Sequence, residues 1–121
     1  MEIGKDLVAA SATPLVLAIL EEGESYGYAI LKQVSELSGG ALQWTDGMLY
    51  PLMHRLERNG CITASWGVSE SGRRRKYYRL TAKGQQELTR HQQQWTVVDA
   101  ALREAWGGPF QTALAGGNLP D

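Results

Sequence analysis

The sequence is poor in the residues that build disulfides and metal sites. Its single cysteine, Cys61, excludes a disulfide within the chain and is typical of a reducing cytoplasm. Because Cys61 has apolar neighbours, we predict a core residue rather than a reactive thiol. The two histidines, His54 and His91, have no second Cys or His at metal-ligand spacing. We therefore expect no metal site and no other cofactor.

Long apolar runs and catalytic constellations are also missing. The longest apolar run, residues 13–20, is too short to span a bilayer, and no cleavable signal pattern precedes it. We therefore expect a cytoplasmic protein without a membrane partner. No nucleophile lies at a useful spacing from a base, and there are no paired carboxylates for a cleft and no phosphate-binding glycine loop. The sequence therefore predicts no enzymatic activity.

The charge is small in total but unevenly distributed. The formal net charge is −1 for a chain of 121 residues. Residues 69–90 nevertheless contain seven basic and two acidic side chains, a local net charge of +5, which leaves −6 for the rest. Four cations are consecutive, at residues 73–76. Such a local potential attracts an anionic partner over a Debye length of ~8–10 Å.

Apolar periodicity predicts three helices before the basic segment. They cover residues 5–22, 25–38 and 45–59. Pro14 interrupts the first of them, because proline suits a first helical turn better than a helix interior. We therefore expect either a short arm followed by a helix over residues 14–22, or one kinked helix.

A glycine turn between β-prone segments predicts a hairpin after the third helix. Residues 62–68 and 76–80 flank the turn around Gly72. A last helix is expected from the cap residue Thr81 to about residue 106, followed by a disordered tail. This order is typical of a winged helix-turn-helix, an α+β fold that is mostly α. The predicted division is a DNA-binding domain at residues 1–81 with an arm at 1–13 and a wing hairpin at 62–80, a dimerisation helix at 82–106, and a tail at 107–121.

The hairpin and the third helix carry the residues predicted to contact DNA. The arginines of the basic segment are expected to neutralise phosphates. Tyr50 and His54 are four residues apart and share one helix face, which is predicted to enter the major groove. Tyr77 and Tyr78 alternate between the faces of a strand, and we predict that Tyr78 points outward to a phosphate. The predicted DNA-binding set is Lys32, Thr45, Met48, Tyr50, His54, Arg55, Arg73, Arg74, Arg75, Lys76 and Tyr78.

A second apolar stripe lies on the last helix. Leu88, Trp95 and Leu102 recur every seven residues, and Val98 and Ala105 have the same spacing. These residues predict the seam of a homodimer. The seam has only about two heptads, which is short for a stable coiled coil. We therefore expect the N-terminal arm of the partner to pack against it.

Three blocks, "YGYAILKQV", "MLYPLMHRLERNGCI" and "GRRRKYYRLTAKG", resemble the PadR family of bacterial transcriptional regulators. They occur in the family's order and cover residues 15–88. The resemblance implies a winged-helix DNA-binding domain, a C-terminal dimerisation helix, and repression that a small molecule relieves. Asp46 departs from the family pattern, since many members have a small residue or proline there.

The stretch "QQWTVVDAAL" is similar to the one that carries a drug-stacking tryptophan in multidrug-sensing members with a single C-terminal helix. The similarity implies that role for Trp95, with Asp99 favouring a planar cation. The alternative is that Trp95 only anchors the dimer interface. The predicted ligand-binding set is Leu7, Ala10, Pro14, Trp95, Val98 and Asp99.

Two functions from different classes fit these residues. The leading prediction is a homodimeric repressor that binds a two-fold symmetric operator in double-stranded DNA and is released by a planar aromatic molecule. The alternative is an interaction protein without a ligand, whose basic hairpin binds an acidic protein or RNA. Arg55 also has an alternative role, in which its guanidinium pairs with a carboxylate of its own domain.

Overall fold

The computed structural model describes residues 1–107, which form four helices and a three-stranded antiparallel sheet. The helices are α1 (Lys5–Glu21), α2 (Gly27–Leu37), α3 (Asp46–Arg58) and α4 (Ala82–Ala105). The strands are β1 (Ser25–Tyr26), β2 (Ile62–Val68) and β3 (Arg74–Leu80), in the order β1–β3–β2. The predicted winged helix-turn-helix, mostly α, is confirmed. The predicted tail lies outside the described residues except for Gly107.

Apolar side chains of α1, α2 and α3 meet in one core. Its fully buried members include Val16, Leu17, Ile30, Val34, Leu49 and Met53. Burying one such side chain stabilises the fold by about 1.5–3 kcal/mol. Pro14 lies inside α1, so the structure shows one helix rather than an arm followed by a helix. No helix among residues 1–107 combines the length and the apolar character needed to cross a membrane.

A compact joint connects the end of α3 to β2 and to the start of α4. Gly60 ends α3 with a φ of 78°, a left-handed conformation that glycine adopts without strain. The Thr81 hydroxyl donates a hydrogen bond to the Gly60 carbonyl oxygen at 2.6 Å and accepts one from the Gly84 amide at 3.0 Å. The Thr81 amide donates to the Cys61 carbonyl oxygen at 3.1 Å. Thr81 is therefore the cap of α4, as predicted, and it also holds the two ends of the hairpin segment together.

The wing consists of β2, β3 and the turn at residues 69–73. Its register runs from the pair Ile62–Leu80 to the pair Val68–Arg74. The Ser69 amide donates to the Arg73 carbonyl oxygen at 2.8 Å, and the Ser69 hydroxyl accepts from the Arg73 amide at 3.2 Å. These bonds extend the ladder, so β3 begins at Arg74, two residues before the predicted start.

Tyr78 lies in the core, and the prediction that it points outward to DNA is wrong. It is only 1% exposed, whereas its neighbour Tyr77 is half-buried and packs edge-on against Tyr26 with ring centroids 5.8 Å apart. Because β3 is the central strand, Tyr78 pairs with Ser25 on one side and Ala64 on the other. Alternation places Tyr78 on the same face as Leu80, which packs against the core.

The described chain divides after Leu88, within α4. Met1–Leu88 forms one compact unit, and a second unit begins at Thr89. The predicted boundary at residue 81 falls before this point, because the first turns of α4 belong to the first unit. Gly84 and Leu88 are both buried there, and Leu88 is a member of the core.

Replacing Gly84 with alanine should destabilise the protein by about 1–3 kcal/mol, because the added methyl group would clash with main-chain atoms that can move only if the backbone shifts. A Cβ atom at Gly84 would overlap the Cys61 carbonyl oxygen and lie 2.6 Å from Cδ1 of Leu80. Urea denaturation measures the free energy of unfolding. Gly47→Ala is the control, since its new Cβ meets nothing closer than Oγ1 of Thr45 at 3.7 Å. Equal free energies of unfolding for the two variants would contradict the role of Gly84.

Replacing Tyr78 with phenylalanine should not destabilise the protein, and the advantage of the variant should grow with pH. The Tyr78 hydroxyl is buried without a hydrogen-bond partner within residues 1–107. Burial, with smaller contributions from Tyr50 and Glu57, raises the pKa of Tyr78 from 10.0 to about 12. The unfolded chain therefore loses this proton first, so stability is lost as pH rises from the unfolded pKa towards the folded pKa.

The size of that loss follows from the two pKa values of Tyr78. Relative to Tyr78→Phe, the wild-type protein should lose about 1 kcal/mol of unfolding free energy between about pH 9 and about pH 11. Urea titrations at several pH values measure the difference. Tyr28→Phe, which removes an exposed hydroxyl, is the control. A difference that stays constant across this pH range would show that the Tyr78 hydroxyl reaches solvent in the folded state.

Candidate nucleic-acid interface

A groove of about 700 Å³ lies between α3 and the wing, and we call it the wing groove. On the helix side it is lined by Tyr50 and His54, which are both exposed and share one face of α3 as predicted. The start of α2 closes one end. The Tyr50 hydroxyl packs against Gly27 so closely that a Cβ atom at Gly27 would overlap it. The missing side chain at Gly27 therefore leaves the space that the Tyr50 hydroxyl occupies.

The wing side of the groove carries the basic segment, and the structure brings all four of its cations to this groove. Arg73 and Arg74 are exposed, while Arg75 and Lys76 are half-buried. Nζ of Lys76 lies 3.9 Å from Oε1 of Glu57, so an acid of α3 balances part of its charge. Such a partly exposed pair contributes only about 0–1 kcal/mol to stability. It nevertheless leaves the three arginines as the cations available to an anionic partner.

Two wing arginines stack on aromatic rings. Cζ of Arg74 lies 4.7 Å from the ring centroid of Trp66, and Cζ of Arg75 lies 3.8 Å from that of Tyr26. Nζ of Lys76 is 5.6 Å from the ring centroid of Tyr78. All three distances fall within the range of cation–π attraction.

Sequence analysis missed three aromatic residues that line the groove: Tyr26, Tyr28 and Trp66. Trp66 is 61% exposed and Tyr28 is 71% exposed, so the core does not account for either side chain. The register of the predicted hairpin could have identified Trp66 from the sequence. In a hairpin that closes at Gly72, Trp66 stands opposite Lys76 and therefore shares a face with the cation two residues earlier.

Four of the other predicted DNA-binding residues do not line the groove, whereas the buried Tyr78 does. Thr45 is the exposed N-cap residue of α3, although its side chain makes no capping bond, and Met48 is half-buried in the first turn. Lys32 is exposed on α2. Arg55 is exposed, and no carboxylate among residues 1–107 forms an ion pair with it. The structure therefore does not support the alternative in which Arg55 pairs within its own domain.

The residues predicted for a dimer seam and a ligand site are divided between the two units. Leu88 is 1% exposed in the core of its own chain, so its assignment to the dimer interface is wrong. In the second unit, Val98, Leu102 and Ala105 are exposed and Trp95 is half-buried. In the first unit, Leu7 and Ala10 are exposed on α1, and Pro14 is half-buried. Oδ2 of Asp99 lies 2.9 Å from Nε of Arg103, so an arginine one turn away already balances the Asp99 charge.

Comparison with known proteins identifies relatives of this chain. Residues 16–90, more than half of the chain, match the transcriptional regulator PadR-like family. The transcriptional regulator Rv3488 of Mycobacterium tuberculosis is 36% identical over 78 residues, which cover 64% of this chain and 69% of that protein. Solved structures with the same fold include a transcriptional regulator from Clostridium thermocellum and a PadR family transcriptional regulator from Eggerthella lenta.

These two structures match most of the chain. The Clostridium thermocellum regulator has a TM-score of 0.75 at 29% identity, covering 83% of this chain and 97% of the other. The Eggerthella lenta regulator has a TM-score of 0.71 at 33% identity, covering 84% and 86%. The family and these relatives are regulators of transcription, which confirms that the chain is not an enzyme. Family match, sequence identity and fold agree, and the chain belongs to the PadR-like family of transcriptional regulators.

Proposed function

We propose that the protein is a homodimeric repressor that binds a two-fold symmetric operator in double-stranded DNA. The observation that carries this proposal is the wing groove, where exposed polar side chains of α3 lie beside three arginines of the wing. Winged helix-turn-helix domains place a helix in the major groove and the hairpin on the flanking backbone. A repressor of this kind acts on the chromosome, so we place the protein in the cytoplasm.

The proposed contacts divide into base edges and phosphates. Tyr50 and His54 lie on the exposed face of α3 and reach base edges, while Thr45 and Met48 approach from its first turn. The wing arginines, with Lys32 and Arg55, contact phosphates on either side. The acidic remainder of the chain limits binding elsewhere on its surface.

A second copy of the chain is proposed to cover the apolar face of α4. Val98 is 46% exposed and Leu102 is 37% exposed, and both lie near the half-buried Trp95 along the helix. Exposed apolar stripes on a soluble protein mark interaction surfaces. Without Leu88, the seam from Trp95 to Ala105 spans about one and a half heptads, which is too short to associate alone. We therefore assign the remaining contacts to α1 of the partner.

A planar aromatic molecule is the proposed effector, stacked on Trp95 beside Leu7, Ala10, Pro14 and Val98. Trp95 is half-buried within its own chain, so part of its side chain is accessible there, and we assign that part to the guest. Because Arg103 balances the charge of Asp99, stacking should contribute more than attraction to a cation. Binding would change the angle between the two DNA-reading halves, so the half-site spacing would no longer match.

Replacing Arg74 and Arg75 together with alanine should weaken binding to duplex DNA by similar factors for specific and random sequences. Each phosphate contact that is lost should also lower the slope of log K against log salt by ~0.9, up to about 1.8 for both. Fluorescence anisotropy at several salt concentrations measures the affinity and the slope. The duplexes are the region upstream of the protein's own gene and a random sequence of equal length.

The matched control for this double variant is Arg79→Ala with Lys83→Ala. It removes two charges from residues that do not line the groove, one of which is paired with Glu24 at 3.2 Å. Its salt slope should stay close to that of the wild-type protein. Equal slopes for all three proteins would exclude the wing as a phosphate contact. A wild-type protein that prefers duplex RNA of the same length would favour the alternative interaction protein.

Replacing Trp95 with alanine should abolish the binding of planar aromatic dyes and leave DNA binding unchanged. The physical reason is the loss of the ring on which the guest stacks. Titration of ethidium and acridine orange, in the absence of DNA, measures binding by the change in dye fluorescence. Trp106→Ala, which removes an exposed ring from the end of the same helix, is the control.

Light scattering of both tryptophan variants should give the mass of two chains, so that loss of the dimer does not imitate loss of the site. Wild-type protein that binds none of the dyes would leave Trp95 as a packing residue. A wild-type mass of one chain at micromolar concentration would overturn the proposed dimer.

A further inference from the structure

We infer that Trp66 and Tyr26 are positioning residues that hold the guanidinium groups of Arg74 and Arg75 in place before DNA arrives. This inference deepens the proposed function and rests on it. Two observations support it. Cζ of Arg74 and Cζ of Arg75 lie 4.7 Å and 3.8 Å from the centroids of the two rings, and Trp66 is exposed, so packing in the core does not explain its presence.

The two arginine–ring pairs have the same cross-strand offset on opposite faces of β3. Trp66 stands directly opposite Lys76, and it stacks with Arg74, two residues before Lys76 on the same face. Tyr26 stands directly opposite Tyr77, and it stacks with Arg75, again two residues earlier. Diagonal cross-strand neighbours of this kind are within reach of long and aromatic side chains. Each neighbouring strand therefore supplies one ring to the central strand.

Stacking is compatible with phosphate binding because the two use different parts of the guanidinium group. A guanidinium presents its flat face to a ring and its five N–H donors at its edge. A ring under the face therefore restricts the long side chain and leaves the donors free for a phosphate. A lysine ammonium has no such division between face and edge, so Arg74→Lys would keep the charge without the fork.

The adjacent Arg73 provides an internal comparison. It is exposed, lines the same groove and carries the same charge, but no aromatic ring among residues 1–107 stacks on it. If the rings position arginines, Trp66 should be coupled to Arg74 and not to Arg73. If Trp66 acts by touching DNA itself, its effect should be the same whichever arginine is present.

The test is a pair of double-mutant cycles for binding to duplex DNA, with Trp66→Leu combined with Arg74→Ala and, separately, with Arg73→Ala. Trp66→Leu alone should weaken binding about two- to five-fold, the strength of an exposed cation–π contact, and leave the salt slope unchanged. It should have no further effect once Arg74 is alanine. In the Arg73→Ala background its effect should persist in full. Independent factors in the Trp66–Arg74 cycle would overturn the inference.

A second measurement on the protein without DNA separates this inference from the proposed function. In the wild-type protein the Trp66 ring current should shift the side-chain proton resonances of Arg74 away from those of Arg73. Trp66→Leu should bring the two sets together, with an unchanged melting temperature because the indole is exposed. A wild-type protein that does not bind duplex DNA would contradict the proposed function. Side-chain proton shifts of Arg74 that do not change in Trp66→Leu would overturn the positioning role.

Discussion

The close approach of α4 to the turn between α3 and β2 is the constraint on which the rest of the structure depends. Gly84 has no side chain because the Cys61 carbonyl oxygen occupies that space, and the Thr81 hydroxyl bonds to both sides of the contact. This contact ties the end of α3 to both ends of the hairpin segment. The position of the wing relative to α3 follows from it, and with it the width of the groove between them.

The central position of β3 gives consecutive residues different environments. Alternation sends Tyr78 into the core, while Tyr77 packs on the opposite face against Tyr26. The same alternation distributes Arg74 and Arg75 to opposite faces, where each meets a ring from a different neighbouring strand. A two-residue strand, β1, therefore matters beyond its length, because it supplies both the edge of the sheet and one of the two rings.

The charged side chains are also unevenly distributed. The local charge of +5 in residues 69–90 lies on a chain of net charge −1, so the positive potential is concentrated near this segment. Within that segment the cations are not equivalent. Lys76 is paired with Glu57 and Arg79 with Glu24, whereas the three arginines of the wing groove have no carboxylate partner within residues 1–107. Among the cations of the wing, these three arginines are therefore the ones available to an anionic partner.

The sequence by itself determined the order of the four helices, the hairpin, the position of the charge and the family, because periodicity, glycine turns and motif blocks are local properties. It did not reveal β1, which occupies the predicted start of the second helix at residues 25–26. Only the tertiary structure decided that Tyr78 and Leu88 are buried in the core. The alternation along a strand predicts that adjacent tyrosines point to opposite faces of the sheet. Which of the two is buried depends on the face against which the helices pack. A heptad spacing links Leu88 to Trp95, yet the missing side chain at Gly84 lets the first turns of α4 reach the core. Contacts between residues far apart in the chain overrode the local pattern at both positions.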